Sequence, residues 1–126
     1  MKVRIPTAEC ALLYGPIPVK AEEKLNALSI PVRRVSADDW NQTIGFCAGM
    51  AGFVRKEIAA EKAPEGTMLV LQLSKKRLDD VLVALKGIPT GPKAMVTAHN
   101  IGWTGAELYR ELVREREEMR KRAADR

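Results

Sequence analysis

One histidine, two cysteines and six aromatic residues are all that this 126-residue chain contains of the side chains that usually carry chemistry or stacking. Cys10 and Cys47 lie far apart and form no CxxC or zinc-ribbon spacing, so neither a disulfide framework nor a structural metal is expected. Both sit in apolar stretches, where burial raises a thiol pKa and leaves it inert. They read as buried thiols of a reducing compartment. No acid or nucleophile is assigned to orient the lone His99, which makes a thin case for general base catalysis. With no GxGxxG and no Walker A pattern, nucleotide binding has no motif behind it. No apolar run approaches the length that spans a bilayer, and no apolar stretch of a signal peptide follows Met1-Lys2-Val3-Arg4-Ile5-Pro6. A soluble, cytoplasmic protein with no cofactor, no metal and no membrane partner is the expectation.

What is present is ordinary globular material, 46% hydrophobic and 29% charged, enough to bury a core without staples. The net charge of +5 permits nucleic acid or an acidic partner without pointing at either. Its basic clusters, Arg33-Arg34, Lys75-Lys76-Arg77 and Arg120-Lys121-Arg122, are separated in the chain and read as solvated faces.

Cys10-Ala11-Leu12-Leu13-Tyr14 is a continuous apolar run stopped by Gly15-Pro16, as in a strand buried on both faces. Pro18 fits the first turn of a helix whose Ala21, Leu25 and Leu28 form a core-facing stripe. Val32-Arg33-Arg34-Val35 reads as an edge strand, and Ser36 as the N-cap of another helix. Trp40 to Phe53 is apolar and close-packed in character, with glycines at 45, 49 and 52 that imply a turn or close backbone approach. Val54 to Gly66 is a polar connection that begins as helix.

Thr67 to Leu73 is the second buried strand, and Ser74 then caps a helix with Leu78, Val81, Leu82 and Leu85 at i, i+3, i+4 and i+7. After the Pro89-Thr90-Gly91-Pro92 turn, Lys93 to Ala98 is the fourth strand. Thr104 and Glu107 make a T-x-x-E capping box for a final helix with Leu108, Tyr109, Leu112 and Val113 facing inward. Its end, about 114–126, is a charged helical tail supported by pairs such as Glu117 with Lys121 and Glu118 with Arg122.

Strand-helix-strand connections of this length demand parallel pairing with right-handed crossovers. The predicted fold is therefore a single α/β domain over 1–126, a four-stranded, mainly parallel sheet of order 2-1-3-4 with helices on both faces. It is built from two β-α-β-α half-units, about 8–53 and 67–119, with Trp40 and Trp103 in matching places. A ferredoxin-like α+β sheet is the alternative.

Lys93-Ala94-Met95-Val96-Thr97, Asn100 and Trp103-Thr104, with the Glu-Leu-rich helix behind them, resemble the domain of unknown function 3783 family of uncharacterised bacterial proteins. Asn41 to Met50 is similar to that family's glycine-containing middle segment. The resemblance implies one domain over most of the chain and brings no activity or catalytic residue with it.

Candidate ligand-binding residues follow from the expected fold. Ligands of open parallel α/β sheets bind beyond the carboxyl ends of strands, which singles out Gly15, Ser74 and Lys75 as walls of one crevice and His99 with Asn100 at the end of the fourth strand. Three cations in the first turn after Ser74 oppose the helix dipole, so Asp79 and Asp80, an acidic partner or a bound anion should offset them. No catalytic, cofactor or metal residue is assigned, and the balance leans away from an enzyme. The functional reading is a non-catalytic binding or interaction module for a protein partner or a second copy of the chain. The alternative is a small-molecule or anion-binding protein, enzymes included, using that crevice. Weak nucleic-acid binding is the third reading and the least favoured.

Overall fold

The computed structural model describes residues 8–57 and 62–124. The Met1–Pro6 lead lies outside them, as do residues 58–61 of the polar connection, whose residues 54–57 are not helical.

Strand β1, Cys10–Tyr14, is buried at all five positions, because its apolar run is covered from both sides. Helix α1, Val19–Ala27, buries Ala21 and Leu25, with Pro18 at its N-cap, where a missing N–H costs nothing. The edge strand β2, Val32–Val35, leads into a 3₁₀ turn, Ala37–Asn41, whose Ser36 makes no side-chain cap, and then into the single-turn helix α2, Ile44–Cys47. The second half runs β3 (Met68–Gln72), α3 (Lys75–Ala84), β4 (Lys93–Met95) and α4 (Gly105–Ala124).

The sheet order is β2-β1-β3-β4, as the residue pattern predicts, and the ferredoxin-like alternative is not adopted. β1 pairs with β2 and β3 with β4 in parallel. The central pair is antiparallel, with Cys10 opposite Gln72 and Tyr14 opposite Met68. The long link from β2 to β3 can return the chain in either direction, and nothing in two strands buried on both faces specifies which.

That one reversal arranges the layers. With β3 turned around, two right-handed crossovers place α1 and α3 on the same face. There Ala11, Leu13, Leu69 and Leu71 of the sheet meet Ala21 and Leu25 of α1, Val81 of α3 and Leu85 at the C-cap of α3. The opposite face carries Leu12, Tyr14, Met68 and Val70 beneath Trp40, Ile44, Ile101, Ala106 and Leu108.

The stripe of α3 is rotated from the one expected. Val81 and Leu85 are fully buried and Leu78 and Ile88 pack beside them, whereas Leu82 is 43% exposed. At about 100° per residue Leu82 falls on the margin of a stripe centred on 78, 81 and 85. Val81→Ala should therefore cost about 2 kcal/mol and Leu82→Ala less than about 1. Paired urea denaturations check this, and an equal loss for both would contradict the helix phase.

The half-units are related by an approximate twofold axis through the sheet. Its signature on the Trp40 face is an antiparallel bridge between Thr43 and Thr104. Each threonine caps the helix it opens, accepting from Phe46 N at 3.2 Å and from Glu107 N at 3.1 Å. Ile44 N donates to the Trp103 carbonyl, and Gly105 N to that of Gln42. The shift that carries Thr43 onto Thr104 also carries Arg33, which pairs with Leu12, onto Ala94, which pairs with Val70. Under it Trp40 corresponds to Ile101 and Gln42 to Trp103. The two tryptophans are thus not counterparts, and only Trp40 is buried, while Trp103 is half-buried.

Helix α4 packs through Ala106 and Leu108, with Tyr109, Leu112 and Val113 half-buried, and is exposed from Arg114 onward. Arg114 links Glu111 and Glu118, and Arg120 reaches Glu117, in place of the partners expected for the tail. Such exposed pairs contribute little individually.

Candidate functional site

The antiparallel centre of the sheet separates the residues expected to share a crevice. Gly15 follows the carboxyl end of β1, beside the amino end of β3, while Ser74 and Lys75 follow the carboxyl end of β3 at the opposite rim. The two carboxyl ends do not face each other, so no crevice lies between Gly15 and Lys75. Gly15 instead packs against the backbone of Gly66, whose carbonyl oxygen a side chain there would overlap. Ser74 does cap α3, accepting from Arg77 N at 3.3 Å, and Lys75 is exposed.

The dipole conflict at the start of α3 is eased by Arg77, which turns away to pair with Glu9 at 3.3 Å and to donate to the Leu28 carbonyl. Neither Asp79 nor Asp80 forms an ion pair with it.

Asn100 is a loop fastener. Its Oδ1 accepts from Thr97 N at 2.9 Å, its Nδ2 donates to the Met95 carbonyl at 2.9 Å, and its own N–H reaches Thr97 Oγ1. With its amide so occupied it fixes the turn from β4 to α4. His99 is exposed, its ring centroid 5.1 Å from that of Trp103. The two thiols are unpaired, and burial pushes both up, with Arg33 as a smaller opposing influence. Both remain protonated and unreactive at neutral pH.

The basic clusters are distributed over an edge strand, the start of α3 and the end of α4. Arg34 and Arg77 are tied to Glu22 and Glu9.

A concavity of about 460 Å³ opens instead on the α1–α3 face, between α1 and the end of α3. Pro18, Val83 and Ile88 give it apolar walls, and Lys20, Lys24 and Lys86 surround them. Among the described residues no carboxylate lines it and none pairs with these lysines. Val83 stands 76% exposed there, and Val19 on α1 is also exposed. Four-residue spacing sets Lys20 and Lys24 on one side of α1, and this was the available signal in the sequence. Lys86 joins them only because α1 and α3 share a face. No group of three or more histidine, cysteine or acidic residues fit to hold a metal exists among the described residues. Nor is any helix there long and apolar enough to cross a membrane.

Residues 67–119 match the family model described as Domain of unknown function (DUF3783). That span begins at β3 and ends within α4, so it covers the second half-unit. No curated protein and no solved structure matches the chain.

Proposed function

We propose that this chain, which carries the DUF3783 segment over its second half, is a non-catalytic binding module that docks an acidic, partly apolar segment of a protein partner in the α1–α3 groove. The observation that carries this reading is the groove's combination of exposed Val83 with three lysines that meet no carboxylate among the described residues. Apolar side chains of the partner would bury against Val83 and Ile88, while its carboxylates approach Lys20, Lys24 and Lys86. Charges on a rim steer encounter and set salt dependence more than they set affinity, so binding should weaken as ionic strength rises. Two unpaired thiols are in keeping with a reducing, cytoplasmic setting.

A synthetic peptide alternating glutamate with leucine serves as the probe. Amide shifts on titration should centre on residues 18–24 and 83–89. The Lys20→Glu, Lys24→Glu, Lys86→Glu triple variant should bind it about tenfold or more weakly, and Val83→Ser should weaken it without changing the salt slope. Shifts spread over the whole surface, or a triple variant that binds as well as the parent, would rule the groove out.

A further inference from the structure

The twofold relation between the half-units fails at one place, and what occupies it is charge. In the second half α4 runs on over its face of the sheet, whereas α2 stops after a single turn, followed by Gly49 at φ +75°. Where the second half has Ala94, the first has Arg33. The Arg33 guanidinium rests on the end of α2, with Nη1 3.4 Å from the Cys47 carbonyl and so close to Gly49 that a Cβ there would meet it at 2.6 Å.

Arg33 borders a cavity of about 270 Å³ that also has Arg34, Asp39, Phe46, Cys47 and Arg55 in its walls. Asp39 is already forked by Arg55, at 2.7 and 3.3 Å, and Arg55 lies 5.0 Å over the Phe46 ring. That placement is secured from behind. The buried Gln42 amide donates to the Lys56 carbonyl and accepts from Lys56 N, both at 2.8 Å, fixing the backbone next to Arg55. Arg34 is held by Glu22 and the Ile17 carbonyl. Arg33 alone of the three meets no carboxylate among the described residues.

We propose that this cavity between β2 and α2 is a binding site for a small phosphate monoester, with Arg33 as its principal ligand. Arg55 is matched by Asp39, and the Arg34 guanidinium is turned away to Glu22, so the uncompensated positive charge in the cavity is that of Arg33, and an anion neutralises it. Planar guanidinium forks match the oxygens of a phosphoryl group, two N–H donors to two oxygens. The volume is just below the range of drug-sized sites, about 300–1,000 Å³, which limits the ligand to a few heavy atoms beyond the phosphoryl group. Val35 and Phe46 offer those atoms an apolar side. The site is distinct from the α1–α3 groove, since Arg33 points to the opposite face of the sheet.

The test is a titration of the full chain with glycerol 3-phosphate, inorganic phosphate and succinate at constant ionic strength, followed by amide shifts. Both phosphates should give saturable shifts at residues 33–35, 46–49 and 55, with succinate, each of whose carboxylates offers two oxygens where a phosphoryl group offers three, binding about tenfold more weakly. Arg33→Gln should weaken phosphate binding by roughly ten- to a hundredfold, the loss of a charge-assisted pair of hydrogen bonds, and Arg33→Lys should restore part of it. The lysine triple variant of the groove should bind phosphate as the parent does. Since Arg33 is exposed, its variants should keep the parent's melting temperature. No saturation below about 20 mM, equal binding of succinate, or indifference to Arg33→Gln would each overturn the proposal.

Discussion

Trp40→Ala should destabilise the protein by about 3–5 kcal/mol, and Trp103→Ala by well under half of that. Trp40 is 2% exposed and is the hub of the aromatic cluster, its ring 4.9 Å from Tyr14 and 5.5 Å from Tyr109, both in edge-on geometry. Those two partners come from β1 and α4, so the indole joins the first half-unit's turn to the second half-unit's helix. Truncation would open a large cavity and remove two edge-to-face contacts, each contributing about 0.5–1.5 kcal/mol beyond area burial. Trp103 is half-buried beside an exposed His99, and its removal leaves a space that water can enter. Urea unfolding followed by circular dichroism, with the midpoint and slope compared across both variants, decides the matter. Equal losses would mean that the two indoles are counterparts after all.

Gly15→Ala should cost on the order of 3 kcal/mol or more, since two penalties coincide. Its φ of +79° lies in the left-handed region, where a side chain costs roughly 1–2 kcal/mol. A Cβ there would also overlap the Gly66 carbonyl oxygen and come within 3.2 Å of Thr67 Cα. These are backbone atoms at the start of β3, so relief requires moving the strand. Gly87 provides the control. Its φ is +84°, but nothing lies within 4 Å of a Cβ built there, so Gly87→Ala should incur the conformational cost alone. A thermal melt in which both variants fall equally would show that contact with Gly66 contributes nothing. Gly15 is thus a packing glycine where β1 and β3 meet, which accounts for its conspicuous place in the sequence without any ligand.

Local rules in the sequence determined the elements and the sheet order. Apolar runs at Cys10–Tyr14 and Met68–Gln72 could only be strands covered on both faces, and the charged Val32–Val35 could only lie at an edge. Short-range chemistry likewise specified the Ser74 cap and the reciprocal Thr104–Glu107 box. Each of these depends on residues within one turn or one strand, and periodicity or spacing reports them directly.

Tertiary structure alone decided the direction of β3, and with it every statement about sites. Two strands with both faces apolar can pair in either direction, and in the structure β1 and β3 pair antiparallel. That choice put Gly15 and Lys75 at opposite rims and dissolved the crevice expected between them. It also brought α1 and α3 side by side, so that Lys86 joins Lys20 and Lys24 around one groove. Arg33, Asp39 and Arg55 converge for the same kind of reason. Their meeting depends on where α2 stops and how Gln42 holds the backbone of Lys56, contacts made between residues far apart in the chain, which no local pattern encodes.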